Sequence, residues 1–108
     1  MNTSGVFELV RKEFKQIDTE ELKFHSEHEA WAVLLEEVEE TKAELVGIED
    51  ATEELKKLVF SDDWASHKME ALEDIRNTAI LCAAEAIQVA AVANKFIKLI
   101  LDREEQDD

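Results

Sequence analysis

Residues 78–94 read TAILCAAEAIQVAAVAN, and Glu85 is the one charge among them. The stretch has no Gly and no Pro, so its small and apolar residues predict a helix. At about 100° per residue, Glu85 falls in the middle of a stripe made by Leu81, Val89, Val92, Phe96 and Leu99. An ionised carboxylate on a core-facing stripe costs several kcal/mol, roughly, unless a cation, a metal or a proton compensates it. This placement sets the chain apart from an ordinary acidic helical bundle.

Working outward, the whole chain of 108 residues has the same bias: no Pro, two Gly, no Tyr. Sheets need turn residues and β-branched runs, so the expectation is an all-α protein of one domain, residues 1–102, with a polar tail at 103–108. Twelve Lys and Arg face 27 Asp and Glu, a net charge of −15. Phosphate backbones need clustered cations, which argues against nucleic acid as a partner. The same balance disfavours an anionic membrane surface. The N-terminus shows no signal-peptide core. The uncharged runs on either side of Glu85 are shorter than the roughly 20 residues that span a bilayer. No membrane partner and a cytoplasmic location are therefore expected. A single cysteine, Cys82, cannot close an internal disulfide and reads as a small buried hydrophobe.

About four helices are expected. Phe7, Val10, Phe14 and Ile17 recur at spacings of three and four, which predicts a helix from about Thr3 to Ile17. Ser26 followed by Glu29 fits a capping box at the start of a second helix, and Gly47 fits its stop. A short third helix is expected from about Glu49 to Val59. Ser61 or Asp62 would then cap a long fourth helix reaching Leu101, with a break conceivable near Met69 to Asp74.

The second helix has an apolar stripe of Trp31, Leu34, Leu35, Val38 and Leu45, with Glu36 and Glu40 roughly opposite and Glu37 beside them. A solvated acidic face is the simple explanation. Against it stand Ala32, Val33 and Ala43, which lie in or beside that face, and the later pair Glu85 and Gln88. Carboxylates at i and i+3 or i+4 on facing helices can converge. Such a set suits a hard cation, Mg²⁺ or Mn²⁺, that takes oxygen ligands and keeps some waters. On this reading Glu36, Glu40 and Glu85 meet in space.

Glu36-Glu37-x-x-Glu40 followed by Glu85-x-x-Gln88 resembles the all-α nucleoside triphosphate pyrophosphohydrolases of the MazG type, which carry E-E-x-x-E on one helix and E-x-x-D on a later one. The stretches His28 to Glu40 and Glu85 to Ala91 are similar to those of small bacterial and phage members. The resemblance covers about two helices of the expected bundle. It implies metal ligation by Glu36, Glu37, Glu40 and Glu85, and Mg²⁺-dependent attack of water on a nucleoside triphosphate, releasing pyrophosphate. It also implies a role in cleansing the nucleotide pool. Gln88 departs from the pattern: an amide oxygen can ligate a metal but brings no charge, which implies a weaker second metal and weaker activity.

Lys95, seven residues beyond Gln88, is a candidate for a substrate phosphate, or its stem covers the bundle rim. Asn94 is a candidate for the base by the same resemblance, although it lies across the helix from Glu85. His25 and His28 are spaced as zinc ligands, but no third ligand is near in sequence, so capping is the simpler role. Trp31 is expected in the core. Ile80, Ile87 and Ala91 need cover away from the Glu85 stripe, which points to a homo-oligomer, dimer or tetramer. The rival reading is a non-catalytic acidic protein, a DNA mimic or partner-binding bundle. A third is a degenerate relative that binds nucleotide without turning it over.

Overall fold

A computed structural model describes residues 1–107; the last residue of the expected tail, Asp108, lies outside the described residues. The described chain is all-helical. Helix α1 spans Ser4–Ile17, a single 3-10 turn covers Glu20–Leu22, α2 spans Glu27–Phe60 and α3 spans Ala65–Asp107. The chain divides into two compact units. One comprises residues 1–38 together with α3 from Glu85 onward; the other comprises residues 39–84.

In the first unit, α1 and the 3-10 turn pack on the start of α2 and the end of α3. Its α1 begins as expected, although Thr3 makes no side-chain cap; the Asn2 Oδ1 accepts from the Ser4 N–H instead, at 2.9 Å. The expected cap of α2 is present, with the Glu29 N–H donating to Ser26 Oγ at 3.0 Å. Phe24, Ala30 and Val92 form the buried centre, with Ile17, Val33, Leu34, Phe96 and Leu99 packed against it. Ala30 and Ala91 are wholly buried. Small residues at the contact let the two helix backbones approach closely. Polar links then hold the ends: Lys98 meets Asp18 at 2.8 Å and Arg103 meets Glu27 at 3.3 Å. Both pairs are partly exposed and contribute little.

In the second unit the remainder of α2 returns through a tight turn into α3. The expected stop at Gly47 and the separate helix from Glu49 to Val59 are not found; α2 runs unbroken through both. Gly47 has no positive φ. A Cβ there would meet Thr78 Cγ2 at 3.3 Å, so the glycine serves close packing rather than termination. Cys82 is half-buried nearby, its Sγ 3.8 Å from the Thr41 carbonyl oxygen.

The true stop is at the turn. Asp62 adopts φ of 52°, the Asp62 N–H donates to the Val59 carbonyl at 3.2 Å, and the Asp63 N–H donates to the Leu58 carbonyl at 2.9 Å. This is a Schellman closure with Asp62 in the position that glycine usually takes. Asp62 therefore ends α2 instead of starting the next helix. Asp63 braces the approach to α3: its Oδ1 accepts the Trp64 N–H at 2.7 Å and lies 2.6 Å from His67 Nδ1. The bond to His67, followed by that to Trp64, lowers the Asp63 carboxyl below its ordinary range. No break occurs between Met69 and Asp74, and α3 continues past Leu101. Within α3 an 18-residue window of mean hydropathy 1.5 makes this one helix long and apolar enough to cross a membrane, by length and composition alone.

The inward face of α2 differs from the expected stripe. Trp31 is 59% exposed, and Leu35, Val38 and Leu45 are exposed as well. Of the expected stripe Leu34 does pack on the core, joined there by Ala30 and Val33, with Glu37 half-buried one turn beyond Val33. Ala30 lets the helices come together, and Trp31, Leu35, Val38 and Leu45 are left outside. On α3, Val92, Phe96 and Leu99 do join the core, while Leu81 is exposed.

Candidate metal centre and its cavity

Glu37 and Glu85 face each other within the first unit, from the α2 and α3 segments that also bring Ala30 against Val92. Each is half-buried, and each places a carboxylate oxygen within 4.8 Å of the other's. Glu40 follows Glu37 by one turn of the same helix, with a carboxylate oxygen within the same distance of that of Glu37. It is exposed. Glu36 is exposed and stays outside this group. One residue in a helix is about 100° of rotation, so a face that turns Glu37 inward turns Glu36 away. The expected meeting of Glu36 with Glu85 is thus replaced by that of Glu37 with Glu85.

Two carboxylate oxygens on one Mg²⁺, each about 2.1 Å from the ion, lie at most about 4.2 Å apart. The Glu37–Glu85 approach is close to that span, so small side-chain rotations suffice. An all-oxygen donor set fits a hard divalent cation and does not fit a soft one.

Glu37 also lines a cavity of about 370 Å³ whose other walls include Val33, Gln88, Val92 and Lys95. Gln88 therefore sits beside the acidic group, one turn from Glu85, as the sequence implies. Its Nε2 donates to Glu13 Oε1 at 2.6 Å, so a carboxylate of α1 is bonded to a residue of this wall. That residue was not foreseen. Its signal was faint: Glu13 falls between Val10 and Ile17 at helical spacing, on the edge of the α1 stripe.

Lys95 lines the same cavity. It is only 8% exposed. Its Nζ donates to the Leu22 carbonyl oxygen and stands 4.0 Å from the centre of the Phe24 ring. Burial lowers the Lys95 ammonium from its ordinary range, and Asp18 and Glu29 oppose that shift. The loop after α1 therefore positions this lysine, which sequence spacing alone does not reveal. Asn94 is exposed and lines neither this cavity nor the smaller one, about 210 Å³, between Lys95 and Asp18. His25 and His28 are both exposed and join no ligand cluster among the described residues. His25 lines the cavity rim, and its carbonyl oxygen accepts from Arg103 Nη2 at 3.3 Å.

The cavity thus brings carboxylates, Glu37 and Glu29 among them, and a buried ammonium to one wall system. Such a mixed lining can hold an anionic ligand that carries a bound cation. No protein-family profile matches this sequence, and no curated protein or solved structure matches it.

Proposed function

We propose that this protein is a divalent-metal-dependent hydrolase of nucleoside triphosphates, of the MazG-like kind, releasing pyrophosphate and a monophosphate in the cytoplasm. The observation that carries the reading is the common cavity of Glu37, Gln88 and Lys95, with Glu85 within 4.8 Å of Glu37. Glu37 and Glu85 would hold Mg²⁺ or Mn²⁺, with Glu40 next along the helix and Gln88 as a neutral oxygen donor. When bound, the ion screens phosphate charge from the acidic wall and makes a bound water a better nucleophile. The chain's own residues do the rest. Lys95, held by Leu22 and Phe24, offers its remaining N–H groups to a phosphate oxygen. Val33 and Val92 keep part of the wall dry, which strengthens every charge interaction beside them. A carboxylate of the acidic group orients the attacking water or takes its proton.

Turnover of a nucleotide panel with Mg²⁺ or Mn²⁺, scored for pyrophosphate against orthophosphate, tests the proposal. Pyrophosphate release that Glu85→Gln abolishes is the expected result. No metal-dependent release from any nucleotide refutes it.

A second reading is a non-catalytic partner-binding bundle. It is favoured by the exposed Trp31, Phe60 and Trp64 on a chain of net charge −15. Under either reading we propose a homo-oligomer. Large apolar side chains left outside on α2 and α3, such as Leu35, Val38, Leu72 and Ile80, are the kind that a second chain covers.

A further inference from the structure

We infer that Glu13 is a positioning residue that orients Gln88 for a hydrated divalent cation. The inference rests on the metal-dependent reading above. A planar amide has one donor end and one acceptor end. Glu13 Oε1 can only accept from that amide, so the contact at 2.6 Å fixes the Gln88 nitrogen towards α1. The Gln88 carbonyl oxygen is then the end left for the cavity that Glu37 also lines. A free glutamine side chain has three rotatable bonds and either amide end to offer. Tied to Glu13, it presents an acceptor, the end that a cation or its bound water requires.

The pairing also answers the missing charge at position 88. A carboxylate brought from α1 to within hydrogen-bond distance of a neutral side chain keeps one negative charge beside the site. Glu13 is half-buried and lies one turn before Ile17, which lines the same cavity. The bond joins residues 75 apart in sequence. It therefore couples the docking of α1 to the state of the site. A glutamate that only docked the helix would leave ion binding in the folded protein unchanged.

Titration of the full-length protein with Mn²⁺ as the probe separates these roles. Parent, E85Q, E13Q and the double variant E13Q/Q88E are compared by calorimetry, with helical content checked by circular dichroism. Partners that orient metal ligands are typically worth 10–100-fold in affinity. E13Q keeps the shape of the side chain and is expected to weaken Mn²⁺ binding by about 10-fold. E13Q/Q88E moves the charge across the same hydrogen bond and is expected to restore binding to within about 3-fold of the parent. It reads the same quantity if E13Q alone does not fold. Binding by the parent that E85Q weakens and E13Q leaves unchanged overturns this inference alone. So does a double variant that is not restored. No Mn²⁺ binding by the parent overturns the metal reading and this inference together.

Discussion

Lys95 shows how a single residue can be costly to the fold and useful to the site. Its ammonium is buried against Phe24 and compensated by one carbonyl, with Asp18 and Glu29 further off. A lysine whose folded pKa is lowered binds protons less readily folded than unfolded. Its penalty is present in full below the folded pKa and fades as pH rises towards the ordinary value of 10.5. Comparing the parent with Lys95→Met by urea denaturation across that window isolates the effect. The parent should gain stability relative to the variant as pH rises. At neutral pH, Lys95→Met should fold and lose most nucleotide affinity, a split that a purely structural lysine would not produce. Glu85→Gln should show the complementary pattern: turnover lost, with metal-free stability unchanged or raised, because one of two facing carboxylates is neutralised. Unfolding of this variant, with no metal effect on the parent, would make Glu85 a structural residue instead.

At the scale of elements, the long helices are governed by their contacts and their turn rather than by local stop signals. Gly47 costs α2 ~1 kcal/mol of intrinsic helicity relative to alanine. It is retained where Thr78 approaches, so Gly47→Leu should destabilise by about 1–3 kcal/mol through overpacking. Gly47→Ala in a Thr78→Ser background, which removes the methyl group in the way, should gain about 0.5–1 kcal/mol. The opposite holds at the turn. Asp62 has φ of 52°, a region that a side chain occupies at a cost. Its ion pair with Lys68, at 3.6 Å, is too exposed to offset much. Asp62→Gly should therefore raise the melting temperature by a few degrees, corresponding to about 0.5–1 kcal/mol. A lower melting temperature would show that the Lys68 contact matters more than the backbone.

For the whole molecule, the marked feature is how little large apolar surface is covered. Phe24, Ala30, Ala71, Ala91 and Val92 are its buried apolar residues among those described, and three of the five are alanine. Fully burying one large apolar side chain contributes roughly 1.5–3 kcal/mol, so exposed residues such as Trp31, Leu35, Ile80 and Leu81 leave considerable stabilisation to a second chain. Sedimentation at micromolar concentration should give a mass well above 12.3 kDa. A clean species at the chain mass would refute the homo-oligomer. Millimolar Mg²⁺ or Mn²⁺ should raise the melting temperature above that in EDTA, by mass action on the folded acidic group. An unchanged melting temperature in both metals at low ionic strength would reduce Glu37 and Glu85 to a half-solvated acidic face.

Sequence alone determined the helical class. Composition excludes sheets, and periodicity places α1, the Ser26 cap and the Val92–Phe96–Leu99 face, because these depend on neighbours within a few residues. It also marked Glu85, since a lone charge among small apolar residues is visible without a structure. Only tertiary structure decided which glutamate meets it. Glu36 and Glu37 are adjacent in sequence, and a rotation of about 100° separates them. That rotation was set by Ala30 allowing close helix contact, not by the larger Trp31 and Leu35. Gly47 read as a stop for a related reason: glycine signals a helix end and a close approach equally well, and only Thr78 on the neighbouring helix tells them apart. Glu13 beside Gln88 and Leu22 beside Lys95 lay beyond any local pattern, because residues more than seventy apart become neighbours through packing alone.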